Sequence, residues 1–220
     1  MRYYSLISSD GDTRLAIEQR DGSLMDVTSL EPELTELDDL ALASSLSGET
    51  IDGITTRILG SGDADRFDLA ELMDNSRRAE GYYRLNRPFK PSEVWASGGN
   101  YRMSELTGER KGDSTVKYRS DRPEIFFKAT PNRCVGPFAS VGIRGDSKMS
   151  VAEAELALVL FRGQIIGYTI GNDMSSRSIL RESPLYLVQS KVFDRCCAIG
   201  PCFVSTRYAP ICWVIPPCSP

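Results

Sequence analysis

The run VAEAELALVLF, residues 151–161, constrains this chain more than any other stretch. It is apolar and strand-like, it meets a turn signal at Arg162-Gly163, and a second strand-like run occupies residues 164–170. The pattern predicts two strands, near 155–162 and 164–170, closed by a tight turn. In a strand, residues two apart share a face, so Glu153 and Glu155 project together, followed by Ala157, Val159 and Phe161. The opposite face carries Ala154, Leu156, Leu158 and Leu160, and the strand is expected to be buried on both faces. Two carboxylates at the entrance of such a strand need a compensating charge. At ~5–7 Å they repel and raise one pKa unless a cation lies between them.

The segment GYTIGND, residues 167–173, ends the second strand, and a hairpin would return Asp173 toward Glu153 and Glu155. Three carboxylates without imidazole or thiolate suit a hard cation such as Mg²⁺ or Mn²⁺. The competing reading is a solvated acidic turn, because Glu-x-Glu is a common pattern.

Composition narrows the chemistry further. The 220 residues include no histidine, which excludes a Ser-His-Asp triad, a Cys-His dyad and His-ligated zinc. Acid–base work falls to Glu, Asp, Lys, Tyr or Cys. The six cysteines are Cys134, Cys196, Cys197, Cys202, Cys212 and Cys218. None forms a C-x-x-C pair, so buried thiols in a reducing compartment are expected. A net charge of −4, from 26 basic and 30 acidic residues, gives no sign of a nucleic-acid footprint. No apolar run approaches the ~18 residues of a membrane helix, and the N-terminus lacks a signal-peptide core. A cytoplasmic protein without nucleic-acid or membrane partners is expected.

The rest of the chain predicts an α+β, mainly β fold. Residues 1–30 read as short strands with a hairpin turn at Asp21-Gly22. Residues 31–80 are acidic and leucine-rich, with Leu34, Leu37, Leu40, Leu42 and Leu46 at helical spacing, Thr35 and Asp38 as a candidate cap, and a further helix opening near 68–72. The Pro-rich segment 86–91 marks a boundary between a small N-terminal α+β domain, 1–90, and a catalytic β domain, 91–220. Strands are expected at 94–97, before Gly98-Gly99, and at 124–128, where Glu124 and Lys128 share a side. From about residue 202 the tail is atypical: residues 201–220 hold five of the twelve prolines, and no charged residue follows Arg207. A frameshift or premature stop is the expected origin.

Taken together, four segments resemble the fumarylacetoacetate hydrolase family: RPEIFFKATPNRCVGP at 122–137, VAEAELALVL at 151–160, GYTIGNDMSSR at 167–177 and PLYLVQSKVFDRCCAIGP at 184–201. The resemblance covers about residues 91–201 and is nearest to the branch of 2-dehydro-3-deoxy-D-arabinonate dehydratases. It implies a mixed β-roll that is dimeric or larger in full-length relatives and binds Mg²⁺. It implies metal ligation by Glu153, Glu155 and Asp173, acid–base catalysis by Glu124 and an active-site lysine at Lys191. Lys128 and Ser175 are the candidate substrate contacts. The implied reaction is dehydration of a 2-keto-3-deoxy sugar acid through a metal-stabilised enolate. Hydrolysis, decarboxylation or isomerisation of another small 2-oxo acid is the alternative, and an inactive remnant is a third. Ser104 follows Asn100-Tyr101-Arg102-Met103 where hydrolase members carry His, which weighs against carbon–carbon hydrolysis. Residues 178–184 depart from the family's acidic, Gly-containing loop. Relatives continue beyond Pro201, so an incomplete roll with exposed strand edges is expected, poorly folded or inactive alone.

Overall fold

The computed structural model describes residues 1–98 and 124–206. Strand β1 (Arg2–Ser8) is a run of aromatic and aliphatic residues that is almost wholly buried. It lies inside a nine-stranded sheet rather than at its rim. Strands β2 (Thr13–Glu18) and β3 (Ser23–Asp26) follow as antiparallel neighbours. The turn expected at Asp21-Gly22 joins them: Gly22 has φ 83°, a left-handed conformation that glycine adopts without steric cost. Strand β4 (Arg66–Asp68) extends this side, and β5 (Tyr83–Leu85) pairs with β1.

The second half of the chain completes the same sheet. Strands β6 (Val94–Ser97) and β7 (Ile125–Ala129) form a separate antiparallel pair. Strand β8 (Cys134–Val135) runs parallel to β13 (Cys197–Ser205), while β9 (Ser150–Val151) pairs with β12 (Ser175–Ser176). Strands β10 (Ala154–Phe161) and β11 (Gln164–Asp173) form the predicted hairpin. Its two turn residues both have positive φ, 48° at Arg162 and 77° at Gly163, the type I′ geometry that matches strand twist. The sheet order is β10-β11-β13-β1-β2-β3-β4. The fold is α+β and mostly sheet.

Helices cover the sheet where their apolar faces allow. Helix α1 (Val27–Leu30) is a single turn. Helix α2 (Leu37–Ser47) buries Leu37 and Leu40, whereas Leu42 and Leu46 are exposed. Its cap is a Glu36–Asp39 box rather than the expected Thr35–Asp38 pair. The Asp39 carboxylate accepts from the N–H groups of both Thr35 and Glu36, which moves the helix start one residue along. Helix α3 (Ile51–Leu59) buries Ile51, Ile54, Thr55 and Ile58, and Thr50 accepts the Gly53 N–H at 3.0 Å. Helix α4 (Leu69–Arg78) opens on Asp68, which accepts from Ala70 and Glu71. Helices α5 (Arg177–Glu182) and α6 (Leu187–Lys191) are short. No helix among the described residues is long and apolar enough to cross a membrane.

The main core crosses the boundary that the sequence predicts near residue 90. Tyr3, Leu15 and Ile17 pack with Leu37, Leu40, Ile54 and Ile58 on α2 and α3, and with Val159 and Phe203 from the second half. Strands β1 and β13 are registered through Arg2↔Val204 and Tyr3↔Phe203. Each fully buried aromatic here contributes ~1.5–3 kcal/mol relative to exposure. Asp52 on α3 accepts from Tyr3 Oη at 2.8 Å and from Ser205 Oγ at 2.8 Å, tying α3 to both strands. On the other sheet face Tyr4, Leu6, Ala16 and Leu24 pack against Leu72 and Leu85.

The hairpin corrects one expectation. Strand β10 is the sheet edge, and only its Ala157–Val159–Phe161 side turns toward the core. Leu156, Leu158 and Leu160 are 54%, 50% and 60% exposed, beside Ile170 at 53%. Apolar composition on both faces did not mean burial on both, because an apolar residue can remain at the surface while a polar one rarely enters the core unpaired.

Candidate metal centre

The hairpin register builds the site. Glu155 lies opposite Gly171, and Ala154 opposite Asn172. One residue further, Asp173 donates its N–H to Glu153 O at 2.9 Å, and Glu153 N–H reaches Asn172 Oδ1 at 3.2 Å. Cys197 of β13 fixes Asp173 from the other side. Backbone pairing alone therefore delivers the predicted convergence: carboxylate oxygens of Glu153, Glu155 and Asp173 lie within 4.8 Å of one another.

Two buried ammonium groups face these carboxylates. Lys191, the last residue of α6, places Nζ 2.7 Å from Glu153 Oε2 and 2.6 Å from Asp173 Oδ2. Lys128, on β7 and 1% exposed, donates to Met174 O at 2.8 Å and to Lys191 O, capping the end of α6. Its Nζ is also 2.6 Å from Asp173 Oδ1. That last contact is an ion pair by distance but lacks hydrogen-bond alignment, so Asp173 Oδ1 is buried without a hydrogen bond. Phe126 lies under Lys191 and Phe193 under Lys128, with Nζ 5.5 Å and 5.6 Å from the ring centroids. Ser175 Oγ donates to Glu153 Oε2 at 3.2 Å and to Asp173 O at 3.1 Å, and Arg177 Nη2 lies 3.3 Å from Glu153 Oε1. Three carboxylates thus face three cations.

Electrostatics distinguish the carboxylates. Burial would raise the Glu153 pKa, but the hydrogen bond and charge of Lys191, helped by Ser175 and Arg177, hold it below the ordinary value. Glu155 lacks such a partner: burial first, and then the Asp173 charge, push its pKa up. Burial opposes the Lys191 charge, yet the charge and hydrogen bond of Asp173, followed by Glu153, raise its pKa and keep it an ammonium. The donor set fits a hard divalent cation. It is all oxygen, and Asp173 Oδ1 retains buried acceptor capacity that no hydrogen bond uses.

Of the other predicted residues, Lys128 and Ser175 touch this cluster. Glu124 is exposed at the start of β7, on the side that carries Phe126 and Lys128 further along. Its backbone O accepts the Gly98 N–H at 2.8 Å, and its carboxylate occupies space that a side chain at Gly98 would fill. Lys128 pairs with Asp173 rather than with Glu124. Lys128 and Ser175, expected as substrate contacts, are both buried and directed at protein oxygens. Arg177 was not singled out, although it sits four residues after Asp173. The thiols follow expectation: Cys134, Cys196 and Cys197 are buried, and these and Cys202 are free. Residues 100–104, the position of the missing His, and the tail beyond 206 lie outside the described residues.

Comparison with known proteins places these features. The family described as Fumarylacetoacetate (FAA) hydrolase C-terminal matches residues 93–211. A probable 2-keto-3-deoxyxylonate dehydratase of Haloferax volcanii is 43% identical over 209 residues, covering 93% of this chain and 68% of the relative. The 2-dehydro-3-deoxy-D-arabinonate dehydratase of Saccharolobus solfataricus is 45% identical over 135 residues, 56% of this chain and 44% of that protein. A solved 2-keto-3-deoxy-D-arabinonate dehydratase complexed with magnesium and 2,5-dioxopentanoate is 29% identical, with a TM-score of 0.64 over 94% of this chain and 67% of its own.

Proposed function

The chain belongs to the fumarylacetoacetate hydrolase C-terminal family, and from that membership we propose a divalent-metal lyase that dehydrates a 2-keto-3-deoxy sugar acid. The observation that carries this reading is the oxygen-only triad of Glu153, Glu155 and Asp173 backed by buried ammonium groups. The magnesium complex of a solved relative supports the choice of Mg²⁺. The three carboxylates would hold the ion, which supplies Lewis-acid polarisation for a 2-oxo acid.

The chain's own residues divide the remaining work. Lys191 supplies positive charge where an enolate oxygen gains negative charge. Glu124, exposed just before β7, takes the C3 proton or delivers a proton to the departing C4 hydroxyl. Loss of that proton and hydroxyl balances as one water and leaves a C3=C4 enone, which tautomerises to 2,5-dioxopentanoate as the C5 and C5-hydroxyl protons are lost and C3 and C4 each gain one. Lys128 and Ser175 act as positioning groups, the first holding Asp173 and the end of α6, the second holding Glu153.

The test is to incubate the purified chain with Mg²⁺ and a 2-keto-3-deoxypentonate and follow the C3 methylene by proton NMR. Formation of 2,5-dioxopentanoate, abolished by EDTA and in Glu124→Gln, is expected. Turnover of an acylpyruvate or oxaloacetate with the sugar acid untouched would move the chain to a sibling reaction. Full activity of Glu124→Gln would remove that residue from its role.

A further inference from the structure

The two site lysines are anchored differently, and the difference has a chemical consequence. Lys128 Nζ donates to two backbone carbonyls, Met174 O and Lys191 O. No ion can take those partners away. Among the described residues, Lys191 Nζ has only carboxylate hydrogen-bond partners, Glu153 Oε2 at 2.7 Å and Asp173 Oδ2 at 2.6 Å. Both belong to the oxygen triad. The ammonium therefore holds two of the carboxylates that a hard cation in the triad would draw on. An ammonium and a divalent ion cannot both lie between two carboxylates without direct like-charge repulsion.

We propose that Lys191 and the divalent cation exchange at Glu153 and Asp173. Lys191 neutralises the pair in the ion-free chain and releases it when the cation binds, while Lys128 stays in place. This rests on the triad being a metal site. The exchange keeps the carboxylates gathered before the ion arrives. Without the ion, three cations face three carboxylates among the described residues, with Arg177 as the third cation. With it, the site carries excess positive charge, and the released Lys191 head group becomes available to an anionic substrate. Phe126 flanks Lys191 Nζ at 5.5 Å from its ring centroid and offers the ammonium a π face during that movement.

The experiment uses Mn²⁺ as the probe and has two readouts besides turnover. Reductive methylation of the full chain at constant pH, with peptide mass spectrometry, reads the exposure of each lysine with and without Mn²⁺. Paramagnetic titration reads Mn²⁺ affinity in the unaltered chain and in Lys191→Met. Labelling of Lys191 should rise on the order of tenfold with Mn²⁺ while Lys128 stays protected, and Lys191→Met should bind Mn²⁺ about tenfold more tightly, the size of a one-unit effect between neighbouring charges. Mn²⁺ binding that leaves Lys191 labelling unchanged, or Lys191→Met binding no more tightly, would overturn the exchange and leave the metal site standing. Mn²⁺ bound by neither protein would overturn both.

Discussion

Lys128→Met is the sharpest test of how the site is held together. Methionine matches the four-atom stem, with sulfur in place of one methylene, and lacks the ammonium. The position is 1% exposed, so water cannot replace what is lost. Three groups lose their cation: Asp173 Oδ1 at 2.6 Å, Met174 O at 2.8 Å, and the Lys191 carbonyl that ends α6. Removing one partner of a buried pair costs ~3–5 kcal/mol. Each orphaned carbonyl adds ~1–3 kcal/mol before relaxation, although these terms overlap because one ammonium serves all three. A net loss of ~3–5 kcal/mol is expected, against a total stability of ~5–15 kcal/mol for a typical domain. Urea unfolding of the EDTA-treated chain, followed by circular dichroism, would show a lower midpoint with an unchanged slope. Pairing the change with Asp173→Asn should show a coupling of ~1–3 kcal/mol, because the Lys128–Asp173 contact can be lost only once while Lys191 still faces residue 173. A Lys128→Met chain within ~1 kcal/mol of the original, or a double variant showing simple additivity, would refute the reasoning.

Two further outcomes follow from the same geometry. A Cβ at Gly167 would lie 2.2 Å from Phe203 Cε2 and 2.4 Å from Val204 O, so Gly167→Ala should lose at least ~1–3 kcal/mol by overpacking, and an unchanged urea midpoint would contradict the strand packing. The raised pKa of Glu155 means its ionised form destabilises the ion-free fold above that pKa, an effect that disappears as pH falls below its unfolded value. Glu155→Gln should therefore be more stable than the original chain in EDTA at neutral pH, by less than ~1 kcal/mol after solvent screening, with the gain fading toward pH ~4. A less stable variant at neutral pH would reverse the assignment.

How much of this was legible in the sequence depended on distance along the chain. The hairpin was readable because its evidence is local: a period of two, a turn signal and a second run lie within residues 151–173. The same locality made the triad readable, since strand register carries Asp173 back to Glu153 and Glu155. The partner of Lys128 was not readable. Periodicity pointed to Glu124 on its own strand, but Asp173 lies 45 residues away and reaches it only through the packing of β7 against α6 and β11. The continuity of the sheet across residue 90 was hidden for the same reason, because Tyr3 meets Phe203 through a pairing that no local pattern records. The exposure of Leu156, Leu158 and Leu160 escaped because composition states what a face can bury, not whether anything covers it.

The carboxylate cluster separates two tasks. Placement of the carboxylates is assigned to the backbone, through the hairpin register and the Asp173–Glu153 main-chain bond. Charge balance is assigned to side chains from other elements, Lys128 on β7 and Lys191 on α6. Three like-charged groups gathered by backbone geometry alone would repel one another in the ion-free state. The lysines offset that repulsion, and Glu155, which has no ammonium hydrogen bond among the described residues, has a pKa raised by burial and then by the Asp173 charge. Of the two lysines, one holds on to backbone that stays and the other to carboxylates that an ion would claim. On the proposed reading, the arrangement that stabilises the ion-free cluster would also set which cation yields to a metal ion.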